Sequence, residues 1–197
     1  MKKILLLLLS AVLALGLLTG CGGKSAPEPV EDSAAGENSA GGEDSAALAS
    51  FSAGTLDGGA FTQDDVKAKD VTVMNFWALS CGPCIVEMPD LAAFAKALPD
   101  TVQVVTVCLD GGGSEDAVRE VLDGAGFEGV TLLSADGDLL ALAQSLMYTP
   151  TTIFMDSEGS LVGDAIIGGQ EDLSGTFLAA VNRVLEAGGK DAVSLEE

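Results

Sequence analysis

Apolar runs alternate with turn-forming residues from residue 51 onward, and their lengths predict alternating strands and helices. Short β-branched runs typical of buried strands occupy residues 71–76, 102–109, 130–133 and 151–155. Longer runs predict helices at residues 84–98, 115–123, 139–146 and 171–185, with Gly124 ending the second helix. Turn signals predict one hairpin over residues 51–61 and another that pairs residues 151–155 with 161–167. This order of elements indicates an α/β sandwich.

The amino-terminal pattern is different. Lys2 and Lys3 precede an apolar run over residues 4–18, as in a secretory signal, and about 15 residues are short for a membrane span. The run leads into Leu18-Thr19-Gly20-Cys21, which resembles the bacterial lipobox. That resemblance implies a signal peptide over residues 1–20, cleavage before Cys21 and lipid on its sulfur. An uncleaved signal anchor is the alternative, and either form places the domain outside the cytoplasm, tethered to the bacterial cell membrane.

Polar segments flank the predicted domain, which we place at residues 51–187. Residues 21–50 are rich in Gly, Ala, Ser, Pro and acidic residues, and such a composition buries too little apolar surface to fold. We therefore expect a flexible acidic linker after the lipidated Cys21, with an r.m.s. span of about 30 Å. The tail at residues 188–197 is also polar, and we expect it to fray.

Composition excludes several function classes. The chain has 197 residues and a formal net charge of −21, from 30 acidic and nine basic side chains. Nucleic-acid binding needs basic patches, so this balance argues against it. The chain has no histidine, which excludes Ser-His-Asp and Cys-His catalysis and histidine-based metal sites.

The candidate chemistry lies in Cys81-Gly82-Pro83-Cys84, between a predicted strand and a predicted helix. Free N–H groups at a helix N-terminus stabilise a thiolate, and the thiolate is the attacking species in disulfide exchange. A zinc site needs four ligands, and the only other cysteines are Cys21 and Cys108. A structural disulfide is the other alternative, although so short a loop restrains little chain entropy. The pattern favours redox chemistry with no metal, and with no cofactor beyond the cysteine pair.

The motifs around this pair resemble those of the thioredoxin superfamily, and within it the membrane-tethered TlpA/ResA-like thiol-disulfide oxidoreductases. The resemblance covers about residues 51–185 and rests on four motifs: Asn75-Phe76-Trp77-Ala78, Cys81-Gly82-Pro83-Cys84, Glu87-Met88-Pro89 and Tyr148-Thr149-Pro150-Thr151. It implies a thioredoxin-like α/β sandwich with a central mixed sheet, an N-terminal hairpin and an αβ insertion before the cis-proline loop. Two residues depart from the pattern: Ser80 replaces the usual tryptophan, and Asn75 replaces the buried aspartate of plain thioredoxins.

The resemblance also implies roles for three residues. Cys81 is the expected nucleophile, and Cys84 would resolve the mixed disulfide, so the two form the Cys81–Cys84 disulfide in the oxidised state. Glu87 lies one helical turn after Cys84, and a partly buried carboxyl there would have a raised pKa and exchange a proton with Cys84. An ordinary exposed helix glutamate is the alternative.

Further residues are assigned to the edge of the site. Thr149 and Pro150 would form a cis-proline loop that pairs with substrate, and an ordinary trans proline is the alternative. Trp77 is a candidate substrate contact, with core packing as the favoured alternative. We expect Cys108, in an apolar strand, to be an inert buried thiol.

Together these inferences predict an extracytoplasmic, monomeric thiol-disulfide oxidoreductase. The resemblance implies that it reduces disulfides in exported proteins, such as apocytochrome c or a peroxidase or methionine sulfoxide reductase partner. Electrons would come from a membrane thiol donor. Two alternatives remain open: an oxidant of the same fold that forms disulfides, and a lipoprotein module that binds a metal or solute and uses the CxxC as a structural staple.

Overall fold

The computed structural model describes residues 47–195. The predicted signal peptide, the predicted lipidation site Cys21 and most of the predicted linker lie outside these residues. Within residues 47–195, no helix has the length and apolar character needed to cross a membrane.

Residues 47–195 form seven strands and five helices. The strands are β1 (Ser52–Thr55), β2 (Ala60–Thr62), β3 (Val71–Trp77), β4 (Val102–Cys108), β5 (Val130–Ala135), β6 (Thr151–Asp156) and β7 (Ile166–Ile167). The helices are α1 (Gln63–Lys67), α2 (Gly82–Ala97), α3 (Glu115–Ala125), α4 (Gly137–Ser145) and α5 (Leu173–Ala187).

The strands form one mixed sheet in the order β2-β1-β5-β4-β3-β6-β7. β3 pairs in parallel with β4 and antiparallel with β6, while β4 pairs in parallel with β5. The β1–β2 hairpin adds antiparallel strands beyond β5. The segment α3-β5-α4 lies between β4 and β6, where the insertion was expected. The predicted fold class is therefore confirmed.

Side chains alternate between the two faces of the sheet, as a period of two requires. On β3, Val73 and Trp77 belong to the core beneath α2, α3 and α5, while Met74 and Phe76 belong to the core that includes α1, α4 and the N-terminal hairpin. Asn75 therefore faces α2 and α5, and it is buried. This alternation gives the predicted active-site face one polar residue, Asn75, between the apolar Val73 and Trp77.

Three elements differ from their predictions. α1 was not predicted, and its first turn is closed by a capping box between Thr62 and Asp65. α3 continues through Gly124 and ends at Gly126, whose φ of 74° is the left-handed conformation that glycine adopts readily. β7 is only two residues long, and Leu161 contributes a single bridge to Met155 instead of a longer strand.

Both boundaries of the packed domain differ from the prediction. The packed part begins by Ala47, which forms a bridge with Ser160, and Leu48 is buried. The expectation that the C-terminal tail frays is wrong over residues 188–195. The Asn182 carboxamide accepts a hydrogen bond from Val193 N–H at 2.8 Å and donates one to the Val193 carbonyl at 3.0 Å. The Asn182 side chain of α5 thus satisfies the backbone N–H and carbonyl of Val193, so the tail is attached to α5 despite its polar composition.

Candidate active site

The cysteine motif lies where β3 leads into α2. Cys81 is the N-cap of α2, and its Sγ accepts a hydrogen bond from Cys84 N–H at 3.2 Å. Pro83 lies in the first turn, where a helix has no intrahelical use for the missing N–H. This arrangement directs the free backbone donors of the helix start at the sulfur of Cys81, which favours a thiolate there.

Cys81 and Cys84 form a disulfide, with Cα atoms 5.3 Å apart. The two sulfurs differ in accessibility, because Cys84 is only 1% exposed whereas Cys81 is partly exposed. An external thiol or disulfide can therefore reach Cys81 but not Cys84. This asymmetry matches the predicted division into a nucleophile and a resolving cysteine.

Glu87 is buried one turn after Cys84, with 7% of its surface exposed. Its Oε1 accepts a long hydrogen bond of 3.4 Å from Asn75 Nδ2, and Asn75 also donates to Thr152 Oγ1 at 2.9 Å. Its Oε2 has no hydrogen-bond partner among the described residues and faces Gly169, where an added Cβ would lie 3.5 Å away. The alternative of an exposed helix glutamate is therefore wrong.

Burial sets the protonation behaviour of this carboxyl. It raises the pKa of Glu87 above the ordinary range, and the hydrogen bond from Asn75 opposes that effect only in part. The backbone N–H of Gln170 also lowers the pKa of Glu87, although it does not meet the geometry of a hydrogen bond to this carboxyl. The negative charge of Asp90 raises the pKa. A carboxyl in this environment can both take up and release a proton nearer to neutral pH than an exposed glutamate.

The Thr149–Pro150 peptide bond is cis, as predicted. The following strand, β6, places Thr151 opposite Phe76 near the end of β3, so the loop lies at the same edge of the sheet as Cys81. Its conformation is fixed by a hydrogen bond from Gly168 N–H to the Pro150 carbonyl at 2.8 Å. The two residues that precede Thr149 present large side chains to solvent: Met147 is 82% exposed and Tyr148 is 65% exposed.

The structure corrects the assignment of Trp77 as a substrate contact. Its side chain is 0% exposed and belongs to the same core cluster as Cys84 and Phe154. Because the indole is covered by protein, it supports the site from below and does not touch a bound substrate. The favoured alternative, core packing, is the one observed.

Sequence reasoning missed Asp110, which lies just after β4. Its carboxylate accepts hydrogen bonds from Leu79 N–H, Ser80 N–H and the Ser80 hydroxyl. Although partial burial acts in the opposite direction, the hydrogen bonds from Leu79 and Ser80 lower the pKa of Asp110. A polar residue directly after a buried strand, at the edge that also ends β3, is the signal that could have identified it.

Cys108 is a free, buried thiol at the end of β4. Its Sγ lies 3.6 Å from Asp110 Oδ1, and burial raises the pKa of this thiol to about 12. Such a group stays protonated at neutral pH and is a poor nucleophile, which agrees with the expected inert thiol.

Other features of the described residues lie away from this chemistry. Within residues 47–195, no group of three or more Cys, Asp or Glu side chains is arranged to hold a metal ion. A cleft of about 630 Å³ lies at the start of β4 and is lined by residues that include Lys69, Lys96 and Val130. It is at the opposite end of the sheet from the disulfide, so it is not part of the redox site.

Comparisons with known proteins agree with this geometry. The model of the AhpC/TSA family matches residues 45–163. The thioredoxin-like protein YneN of Bacillus subtilis is 33% identical over 119 residues, which cover 60% of this chain and 68% of that protein. The structure of the exposed lipoprotein thioredoxin of Streptococcus pneumoniae is 28% identical, with a TM-score of 0.54 over 68% of this chain and 98% of that one. A thioredoxin-family thiol:disulfide interchange protein of Chlorobium tepidum, 23% identical, has the same fold, with a TM-score of 0.58 over 71% of this chain and 95% of that one.

Because the family model covers more than half of the chain and the redox cysteines lie where the fold requires, the chain belongs to the AhpC/TSA family within the thioredoxin superfamily and is a thiol-disulfide oxidoreductase.

Proposed function

We propose that this protein is an extracytoplasmic, lipid-anchored reductase of disulfides in exported proteins. The observation that carries the proposal is the pairing of an accessible sulfur with a buried one, with the buried carboxyl of Glu87 one helical turn further along α2. In the reduced protein, the Cys81 thiolate attacks one sulfur of a substrate disulfide. The Cys81–substrate bond forms, the substrate disulfide breaks, and the leaving thiolate takes a proton from water.

The second step regenerates the intramolecular disulfide. Cys84 gives its proton to the Glu87 carboxylate and attacks the sulfur of Cys81. The Cys81–Cys84 bond forms, the Cys81–substrate bond breaks, and the second substrate sulfur leaves as a thiolate that takes a proton from water, while Glu87 later returns its proton to solvent. Two electrons thus pass from the dithiol to the substrate. Because Cys84 is buried, it has little access to water as a proton acceptor, and Glu87 supplies one within the protein.

The cis-proline loop is the proposed substrate contact. The backbone groups of Thr149 can pair with an extended substrate segment, and Pro150 fixes the loop beside the disulfide. Exposed Met147 and Tyr148 border this loop, and their apolar surfaces suit segments of incompletely folded proteins.

The direction of electron flow is proposed from the residues between the cysteines. Gly82-Pro83 is the dipeptide of the thioredoxins that act as reductants, and a membrane thiol donor would return the disulfide to the dithiol. Apocytochrome c is the first candidate substrate, followed by an oxidised peroxidase or methionine sulfoxide reductase. We propose that the protein acts as a monomer.

Location outside the cytoplasm is supported by the sequence of the leader. The apolar run over residues 4–18, followed by Thr19-Gly20-Cys21, has the form of a lipoprotein signal. The similar thioredoxin of Streptococcus pneumoniae is itself described as an exposed lipoprotein. Radiolabelled palmitate incorporation that is lost in Cys21→Ser would support the anchor, and incorporation that persists in this variant would contradict it.

Redox equilibration with glutathione tests the function. A reductant should have a midpoint of about −250 mV or below, whereas a midpoint near about −120 mV would identify a disulfide-forming oxidant. Reduction of insulin should be abolished by Cys81→Ser and retained in Cys108→Ser, which removes a thiol outside the site. Persistent exchange in Cys81→Ser would mean that the CxxC is only a structural staple, as in a binding module. Cys84→Ser should accumulate mixed disulfides with exported proteins and so identify the substrates.

A further inference from the structure

The Asp110 carboxylate binds the two residues that lead into the redox disulfide. Leu79 N–H donates to Oδ1 at 2.6 Å, while Ser80 N–H and the Ser80 hydroxyl donate to Oδ2 at 3.2 and 3.0 Å. Cys81 is the next residue in the chain. The loop after β4 is therefore tied to the segment that positions the nucleophile.

The backbone of Asp110 is itself held in place. Leu109 N–H donates to the Trp77 carbonyl at 2.9 Å, which fixes the end of β4 against the end of β3. An added Cβ on Gly111 would lie 2.8 Å from the side chain of Leu133 and 2.9 Å from that of Val118. The backbone is thus held on both sides of Asp110, by the Leu109 hydrogen bond and by the packing of Gly111, although the side chains of Leu109 and Asp110 are exposed. The carboxylate therefore extends from a held backbone to residues that belong to no helix or strand.

The same carboxylate places a negative charge next to the site. The Asp110 residue is exposed. Desolvation is the largest single effect on its pKa and raises it, but the hydrogen bonds from Leu79 and Ser80 together outweigh that effect, so the pKa is lowered and the carboxylate is ionised at neutral pH. A nearby negative charge disfavours a thiolate, in opposition to the helix N-terminus that favours it. Destabilising the thiolate destabilises the dithiol form relative to the disulfide, and this makes the dithiol a stronger reductant.

We propose that Asp110 is a positioning residue of the redox site: its carboxylate holds the segment before Cys81 in place, and its charge makes the Cys81–Cys84 dithiol more reducing. This inference rests on the proposed reductase function and deepens it. Ser80 stands where the family pattern has a tryptophan, and here its hydroxyl donates a hydrogen bond to the Asp110 carboxylate.

Other titratable groups on the elements around Cys81 are the same in every comparison below. They lie on α2, β4, the start of α3 and the cis-proline loop: Cys84, Glu87, Asp90, Cys108, Glu115 and Tyr148. A variant of Asp110 leaves all of these residues in place, and of the group it alters the direct contact of Cys108 alone. Because alkylation is read on the Cys81 peptide, a shift in the titration of Cys81 can be assigned to the substituted carboxylate.

The test compares Asp110→Asn with Asp156→Asn in the reduced protein. Asp156 is a matched control because its carboxylate also accepts two backbone N–H groups, from Glu158 and Ser160, and it lies at the opposite end of β6 from the site. The rate at which iodoacetamide alkylates Cys81 is measured against pH by mass spectrometry of the Cys81 peptide. We expect Asp110→Asn to lower the pH midpoint by about half a unit or more, and 1 M salt to reduce that difference. The equilibrium with glutathione should move about threefold or more toward the dithiol.

Several outcomes would overturn the inference. A midpoint and a glutathione equilibrium that are unchanged in Asp110→Asn, with only a loss of thermal stability, would show a purely structural role. An equal shift in Asp156→Asn would show a general effect of net charge, and an equal shift in Ser80→Ala, which keeps the carboxylate, would show that the charge is not responsible. If Asp110→Asn does not fold, Asp110→Ser, which retains an oxygen acceptor, serves in its place. Alkylation of Cys81 does not require turnover, so failure of the wild type to reduce insulin would overturn the proposed function separately.

Discussion

Replacing Glu87 with glutamine should slow the step in which Cys84 resolves a mixed disulfide. Glutamine has the same shape, and its side-chain oxygen can still accept the hydrogen bond from Asn75, so the fold should be retained. What it removes is the proton acceptor. Cys84 must then react through the small fraction of molecules in which it is already ionised. For a thiol with an ordinary pKa that fraction is about 3% at pH 7, and burial makes it smaller, so we expect a loss of about 30-fold or more.

The reaction with Ellman's reagent separates the two steps. Cys81 attacks the reagent and releases one thionitrobenzoate, and Cys84 then attacks Cys81 and releases the second, so absorbance rises in two phases. The slow phase of the wild type should gain rate as pH rises through the raised pKa of Glu87 and then level off. In Glu87→Gln it should instead keep rising until the thiol itself ionises, so the difference between the two proteins should shrink at high pH.

The control for this experiment is Glu120→Gln, because Glu120 is an exposed glutamate on α3 and its replacement removes the same charge away from the site. It should leave both phases unchanged. A second phase in Glu87→Gln within about twofold of the wild type at pH 7, with the same pH profile, would refute the assignment of Glu87 as the proton acceptor.

Three further predictions follow from burial. The folded-state pKa of Glu87 is raised, so its contribution to stability is present at low pH and is lost as pH rises through that value. Glu87→Gln should therefore raise the Tm at pH 8 and not at pH 4. An equal change in Tm at both pH values would contradict this. Phe177 is buried with edge-to-face contacts to Phe94 and Phe154, so Phe177→Ala should lower the free energy of unfolding in urea by about 3–5 kcal/mol, and a loss below about 1 kcal/mol would show that the core closes over the space. Cys108 should resist iodoacetamide in the folded protein and react in 8 M urea. Modification under native conditions would show that the thiol does not stay buried.

The central strands and their helices could be predicted because their apolar runs are local properties of the chain. β3 ends one residue beyond the predicted run, at Trp77. Gly124 misled the prediction, since a glycine within a helix costs about 1 kcal/mol and reads as a stop. Here the burial of Val118 and Leu122, which lie on successive turns of α3, outweighs that cost, and the helix ends at Gly126 instead. α1 was missed because it has five residues and buries only Val66.

The residues of the candidate site likewise fall into those that the sequence predicted and those that it did not. The cysteine pair, Glu87 and the cis-proline loop were found because each has a short, local pattern. Asp110 was not found, because its partners are about 30 residues away in the sequence and meet it only through the parallel pairing of β3 with β4. Trp77 was assigned partly to substrate because a strand residue near a reactive group can point to either face, and the register that points it inward comes from the whole sheet.

The bridge between Ala47 and Ser160 indicates where the protein can be attached to a surface or a label without blocking its reactive sulfur. Ser160 adjoins Asp156, which is paired with Val71 at the start of β3, whereas Cys81 follows the other end of that strand. Seven residues of strand separate the two ends by roughly 20 Å. Coupling the chain to a bead, a surface or a fluorescent tag by way of the segment before Ala47 therefore leaves the reactive sulfur pointing into solution, and a force applied through that handle reaches the β6–β7 turn before it reaches the disulfide.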